Sequence, residues 1–231
     1  MKVIRRIGKF LWKSALWFFG LSIGLVILYR FIPVPITPLM VIRLVEQGLD
    51  PEKEFRLVKD WVPISEMSKH APQAVVASED QTFMKHNGFD FKSMKKAWES
   101  NKTNNRVRGA STISQQTAKN VFLWPSRSYI RKGFEAYFTV LIEIFWSKER
   151  ILEVYLNVIE MGDGVYGIQA ASQTFFDKDA SKLSKGQAAL IAAVLPNPRR
   201  WSPARPTSYI QGRKSWIMRQ MSNLGPIGFG I

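Results

Sequence analysis

The chain has 231 residues, room for one domain of about 100 to 200 residues plus a short appendage. Its 33 Lys and Arg against 18 Asp and Glu give a net charge of +15, which points to an anionic partner: nucleic acid, phospholipid headgroups or a phosphorylated substrate. The absence of cysteine excludes a disulfide framework and thiolate metal sites, and two histidines (His70 and His86) without H-E-x-x-H spacing argue against histidine-held zinc.

The first 30 residues carry six cations (Lys2, Arg5, Arg6, Lys9, Lys13, Arg30) and no acid, so 27 cations still face 18 acids in the remainder, which is basic by itself. Ser14 to Tyr29 is sixteen residues without a charge. With its apolar shoulders, Phe10 to Ile32 gives 23 positions, against the roughly 20 that cross a bilayer. The segment runs into Tyr29-Arg-Phe-Ile-Pro-Val-Pro without the small-x-small site of a cleaved signal peptide. Residues 1–32 are therefore expected to be a basic stub and a transmembrane anchor. Five cations precede the apolar run and only Arg30 and Arg43 follow closely, so the amino terminus is expected in the cytoplasm and the rest of the chain outside it. An exported domain has no ATP supply, so any transferase there would have to use a substrate activated inside and carried across.

Residues 33–60 read as connector and membrane-proximal segment. Pro33, Pro35 and Pro38 stiffen its start, since each proline fixes φ and keeps its predecessor out of the helical region. Leu39 to Val45, apolar with one arginine, suits either the core or the outer headgroup layer. Residues 61–231 form the main domain. Phe134, Phe138, Leu141, Phe145, Ile151, Leu152, Tyr155, Leu156 and Ile159 recur at i, i+3, i+4 spacing, predicting two helices with a break near Ser147. Ser184-Lys-Gly-Gln187 has the capping-box pattern, and the run from Ala188 ends at Pro196, predicting a tightly packed small-residue helix over 185–195. Strand signals are scarce, no two-residue hairpin with alternating flanks is evident, and the expected fold is mainly α. The polar, basic run from Asn101 to Arg108 is expected to be a mobile loop.

Two blocks carry chemistry. Glu79-Asp-Gln-Thr-Phe83-Met-Lys-His86-Asn-Gly88-Phe-Asp90 gathers carboxylates and a histidine beside an aromatic and a glycine. Gly109-Ala-Ser111-Thr112-Ile-Ser-Gln115-Gln116-Thr-Ala-Lys119-Asn120 gathers hydroxyls, amides and a cation. A carboxylate at the edge of the apolar run Ala74 to Ala77 is suited to take a proton from a sugar hydroxyl, because partial desolvation and a like charge from Asp80 would bring it nearer neutral pH. Cations beside it suit a leaving group whose negative charge grows as its bond breaks. Arg131 and Glu135 stand four apart and share a helix face.

Three further blocks follow in order: Arg131-Lys-Gly-Phe-Glu135, Lys148-Glu-Arg-Ile-Leu-Glu-Val-Tyr-Leu-Asn157, and Ala188 to Pro198 with Pro203. Across about residues 66–205 the five blocks closely resemble the peptidoglycan glycosyltransferases, membrane enzymes that polymerise lipid-linked disaccharide-peptides. The resemblance implies a lysozyme-like glycosyltransferase fold behind one transmembrane helix, in the bacterial inner membrane with the catalytic domain outside. It implies transfer of a lipid-pyrophosphoryl glycan to the 4-hydroxyl of lipid II with inversion to a β-1,4 linkage. Carried over by motif, Glu79 is the catalytic base and Glu135 a second essential carboxylate, while Asp80, Phe83, His86, Thr112, Gln116, Lys119, Asn120 and Arg131 bind or support substrate. Ser114 stands where many members carry threonine. The implied partners are lipid II, the nascent lipid-linked glycan, the membrane and cell-wall synthesis or division proteins, with no nucleic acid. The cofactor question stays open, with Mg2+ or Mn2+ as candidate ions and Glu135 as the candidate ligand. The 148–157 helix reads mainly as scaffold. The Ser93 to Lys96 match to a transpeptidase motif lacks its Lys-Thr-Gly partner, so a monofunctional enzyme is expected. A glycosidase using Glu79 and Glu135, or a wall-binding adaptor, are the competing readings.

Overall fold

The computed structural model describes residues 2–52, 54–103, 109–126 and 128–228, which fall into two compact units, Met1–Pro33 and Val34–Ile231. The first unit is one helix, α1 (Lys2–Phe31), whose 30 residues extend about 45 Å. Its Arg5–Phe31 stretch is long and apolar enough to cross a membrane. Phe10, Trp12, Trp17 and Phe31 are each at least 66% exposed, an apolar surface suited to lipid rather than water.

The second unit opens with α2 (Pro38–Gly48). Thr37 caps it by accepting the Met40 N–H at 3.4 Å, and Pro38 stands in the first turn, where a missing N–H costs nothing. Met40 and Gln47 are buried, whereas Val41, Val45 and Leu49 are 45 to 80% exposed, so the segment has one packed face and one open apolar face. Gln47 ties its end to Arg56, accepting the backbone N–H at 2.9 Å and donating to the carbonyl at 3.2 Å. β1 (Val58–Lys59) follows, then α3 (His70–Glu79) and α4 (Phe91–Thr103). Asn101 to Thr103 close α4; residues 104–108 of the expected mobile loop lie outside the described residues.

α5 (Ile113–Phe122) starts at a full capping box between Thr112 and Gln115. α6 (Tyr129–Phe145) and α7 (Lys148–Val158) are separated at Trp146 and Ser147, where the periodicity placed the break, and the Ser147 hydroxyl caps α7. α7 buries Ile151, Leu152, Tyr155 and Leu156, and its Asn157 brackets Val62 through both backbone groups at 2.9 Å. It is scaffold, as its amphipathic pattern indicates.

β2 (Glu160–Gly162) and β3 (Val165–Tyr166) form a hairpin across Asp163-Gly164, and β3 pairs in parallel with β1. The sequence pattern did not reveal this hairpin. Its strands are three and two residues long and buried on both faces, so there is no alternation to read. Gly164 is required: its φ is +67°, and a Cβ there would lie 2.4 Å from the Arg56 carbonyl oxygen.

α8 (Ile168–Phe176), α9 (Lys185–Val194) and α10 (Ser208–Leu224) complete the unit. The Ser184–Gln187 capping box forms as the pattern predicts, and Ala188 to Val194 is wholly buried. Its alanines let α9 approach both α3 and α10 closely, which fixes the end of α3 where Glu79 sits. The fold is mainly α throughout the described residues.

Candidate active site

The first two motifs are joined behind the cleft by a buried brace. Asp80, at the end of α3, accepts the Ile113 N–H at 3.1 Å, so its carboxylate meets the amino-terminal end of α5, where negative charge is favoured. The same carboxylate lies 3.0 Å from His86 Nε2. Phe83 is fully buried, edge-on to His86, with Lys148 Nζ 4.6 Å above its ring. Thr112 donates to the Gly88 carbonyl at 2.6 Å while accepting the Gln115 N–H. Gly88, at φ +87°, lies against α6, where an added Cβ would be 2.7 Å from Thr139 Cγ2. Ser114 donates to Glu143, which also accepts from Lys148 at 2.7 Å, so the hydroxyl expected at this position is used for anchoring.

Asp80, Phe83, His86 and Thr112, which the resemblance gives as binding or supporting substrate, hold the two motifs together, and Asp80 and Thr112 also line the cavity that Glu79 faces. Asp80 turns its carboxylate into this brace. The like charge on Glu79 that the sequence suggested is therefore directed at His86 and a helix terminus instead.

Glu79 faces the cleft and is gripped from two sides. Gln116 Nε2 donates to its Oε2 at 3.1 Å, and Ser78 Oγ to its Oε1 at 3.1 Å. Tyr155 orients Gln116 by donating to Oε1 of the amide at 3.1 Å. Burial pushes the Tyr155 phenol well above its usual range, with Glu79 adding to the shift, so it remains a donor. Asn120 Nδ2 donates to the Gln116 carbonyl, which places Asn120 one turn along the same helix. Glu79 lines a cavity of about 410 Å³ with Thr82, Asp90, Lys96 and Ser111.

A second cavity, of about 490 Å³, holds Lys119 and Arg131 beside Asn120, Leu123 and Trp124. Burial pushes the Lys119 amine down, Glu135 opposes this, Arg131 and Lys132 add to it, and Glu79 also opposes it. Lys119 therefore sits in the field of carboxylates from both sides of the cleft. Glu135 is 3% exposed, accepts from Arg131 Nη1 at 2.8 Å and pairs with Lys132 through its other oxygen. Arg131 Nε also donates to the Ser126 carbonyl at 2.6 Å, so the guanidinium is held at two points. Both oxygens of Glu135 are engaged by these cations, and no group of three His, Asp or Glu side chains is gathered among the described residues.

The arrangement is a hydrogen-bonded carboxylate facing one cavity and half-buried cations in the next. Residues 50–222 match the family model described as Transglycosylase. The chain belongs to the transglycosylase family. A relative from Bdellovibrio bacteriovorus named biosynthetic peptidoglycan transglycosylase is 56% identical over 214 residues, 93% of this chain and 85% of the relative. Relatives of the same name from Bacteroides thetaiotaomicron and Chromohalobacter salexigens are 55% and 51% identical, each over 96% of this chain, and are themselves covered to 89% and 94%.

Three supports of this transglycosylase's cleft escaped the sequence reading. Ser78 precedes the glutamate but looks like any helix serine. Tyr155 is recognisable as core, yet its bond to Gln116 spans 39 positions. Arg213 on α10 donates to the Ala193 carbonyl at 3.2 Å and reaches Ser78 Oγ at 3.5 Å. No local pattern connects residues so far apart in the chain.

Proposed function

We propose that this transglycosylase polymerises peptidoglycan glycan strands, moving a lipid-pyrophosphoryl glycan onto the 4-hydroxyl of lipid II with inversion to a β-1,4 linkage. The observation that carries this reading is Glu79, fixed by Ser78 and Gln116 at a cleft whose neighbouring cavity holds Lys119 and Arg131. Glu79 takes the proton of the acceptor hydroxyl as its oxygen attacks the donor's anomeric carbon. The bond to the lipid pyrophosphate breaks, and the charge that grows on the leaving oxygen is met by Lys119 and by Arg131, which Glu135 orients. The relatives' names support the substrate. A glycosidase has no use for the clustered cations, and an adaptor has none for the held carboxylate. Incubation with lipid-linked precursor decides: growing polymer is expected, whereas shortening of preformed glycan, or no change in either, overturns the reading.

In this reading α1 crosses the inner membrane once with its basic end in the cytoplasm, and residues Val34–Ile231 work on the outer side beside the lipid substrate. Nascent glycan and cell-wall synthesis or division proteins are the partners it would meet there. A reporter active only outside the cytoplasm should function when fused after Ile231 and be silent when fused before Lys2. The opposite pattern overturns the orientation.

A further inference from the structure

The cavity that holds Lys119 and Arg131 contains a third cation that belongs to none of the five sequence blocks. Arg43 projects from α2 and lines the same space, together with Leu39, Leu123 and Trp124. Two carboxylates, Glu46 and Glu160, act on its guanidinium. Glu160 is 6% exposed, lies on β2, and places Oε2 3.6 Å from Arg43 Nε. Burial pushes the Glu160 carboxyl up, and Arg43 and Arg199 oppose that rise.

This arrangement is a poor choice for stability alone. Glu160 Oε1, Arg43 Nε and Tyr166 OH are all buried without a hydrogen-bonded partner, and a buried ion pair repays desolvation only when its remaining groups are satisfied. Arg43 Nη1 is turned to Glu46 at 2.6 Å, and Nη2 has no hydrogen-bonded partner among the described residues. Arg43 thus lines the cavity while its guanidinium is held between Glu46 and the buried Glu160.

The geometry points to Arg43 as a further phosphate-binding residue for the lipid pyrophosphate donor, with Glu160 as its positioning residue. Lys119 and Arg131 approach from α5 and α6 and Arg43 from α2, so two phosphates in a row can be held from separate elements. The apolar side chains of Leu39, Leu123 and Trp124 beside the cations suit the first carbons of an isoprenyl chain more than a sugar. This rests on the donor reading proposed above and adds a residue to it.

The test is calorimetric titration of the full chain in detergent with farnesyl pyrophosphate and with farnesyl monophosphate. The wild type is expected to prefer the pyrophosphate. Arg43→Ala should weaken pyrophosphate binding about ten- to a hundredfold, the range for losing a charge-assisted hydrogen bond, and weaken monophosphate binding much less. Arg43→Lys, which keeps the charge but loses the planar fork, should recover part of the preference, and Glu160→Gln should reduce it in the same direction. Retained helical circular dichroism in Arg43→Lys guards against reading a folding defect as a binding one. Equal weakening of both ligands by Arg43→Ala, or none, while Lys119→Ala still weakens the pyrophosphate, overturns the role of Arg43 and leaves the donor reading standing. A wild type without preference, and indifferent to Lys119→Ala, overturns both.

Discussion

Glu79→Gln is expected to lower turnover by about 10² to 10⁴-fold while leaving precursor binding near the wild-type value. The substitution keeps the side chain's size and polarity, so α3 is not disturbed where it packs between α9 and α10. What changes is the ability to take a proton. An amide keeps only one acceptor oxygen, so it can accept from only one of Gln116 Nε2 and Ser78 Oγ, which bond separate carboxylate oxygens in the wild type, and part of the grip on position 79 is lost as well. Initial polymerisation rates at saturating precursor, with binding of labelled precursor measured separately, resolve the two effects. Polymerisation close to wild type at neutral pH would remove Glu79 as the general base.

Lys119→Ala has the second largest effect, and a different form. In the proposed mechanism it removes a cation that meets the donor in the ground state and the leaving group in the transition state, so binding is expected to weaken and turnover to fall together, the latter by about 10² to 10³-fold. The binding loss should be greatest at low salt, where screening is least. The pH dependence has a definite sign. Burial favours the neutral amine, so the Lys119 charge fades as pH rises through a value below the ordinary 10.5, and kcat/KM falls with it. Bound pyrophosphate favours the cation, so the fall in kcat lies at higher pH than the fall in kcat/KM. Lys119→Arg, which stays charged, should lose this alkaline limb. A limb unchanged in Lys119→Arg would assign it to another group.

Much of this could be read from the chain because the relevant signals are local. The caps at Thr112, Ser147 and Ser184 each need only three or four neighbouring residues, and the break between α6 and α7 shows in the apolar period. Membership of the family was legible from five ordered blocks, which the match over residues 50–222 bears out. The division of labour within those blocks was not legible. Asp80 and Glu79 are adjacent in sequence and line one cavity, yet Asp80 is bonded to Ile113 and His86 while Glu79 is held by Gln116 and Ser78, a difference set by where α3 ends against α5. Arg43 lay in a segment whose apolar residues fitted either core or headgroup layer, and only the packing of α2 brings it to Lys119. The Asp163-Gly164 turn was missed because its strands are too short to carry a period.

The parallel pairing of Val58 with Val165 has a bearing on how the protein comes into being. β1 is made 107 residues before its partner β3, and ribosomes add about 5 to 20 residues per second, so it waits roughly 5 to 20 s for a mate. Through that interval the tether from Gln47 to Arg56 is the local restraint on the segment, and the ring that joins it to β3 is still unclosed. α2 is therefore among the first parts of the second unit to be synthesised, while the strand that follows it is among the last to be paired. The wall that carries Arg43 is completed only after the hairpin exists, so a nascent chain cannot present a finished cleft before residue 166 has been made.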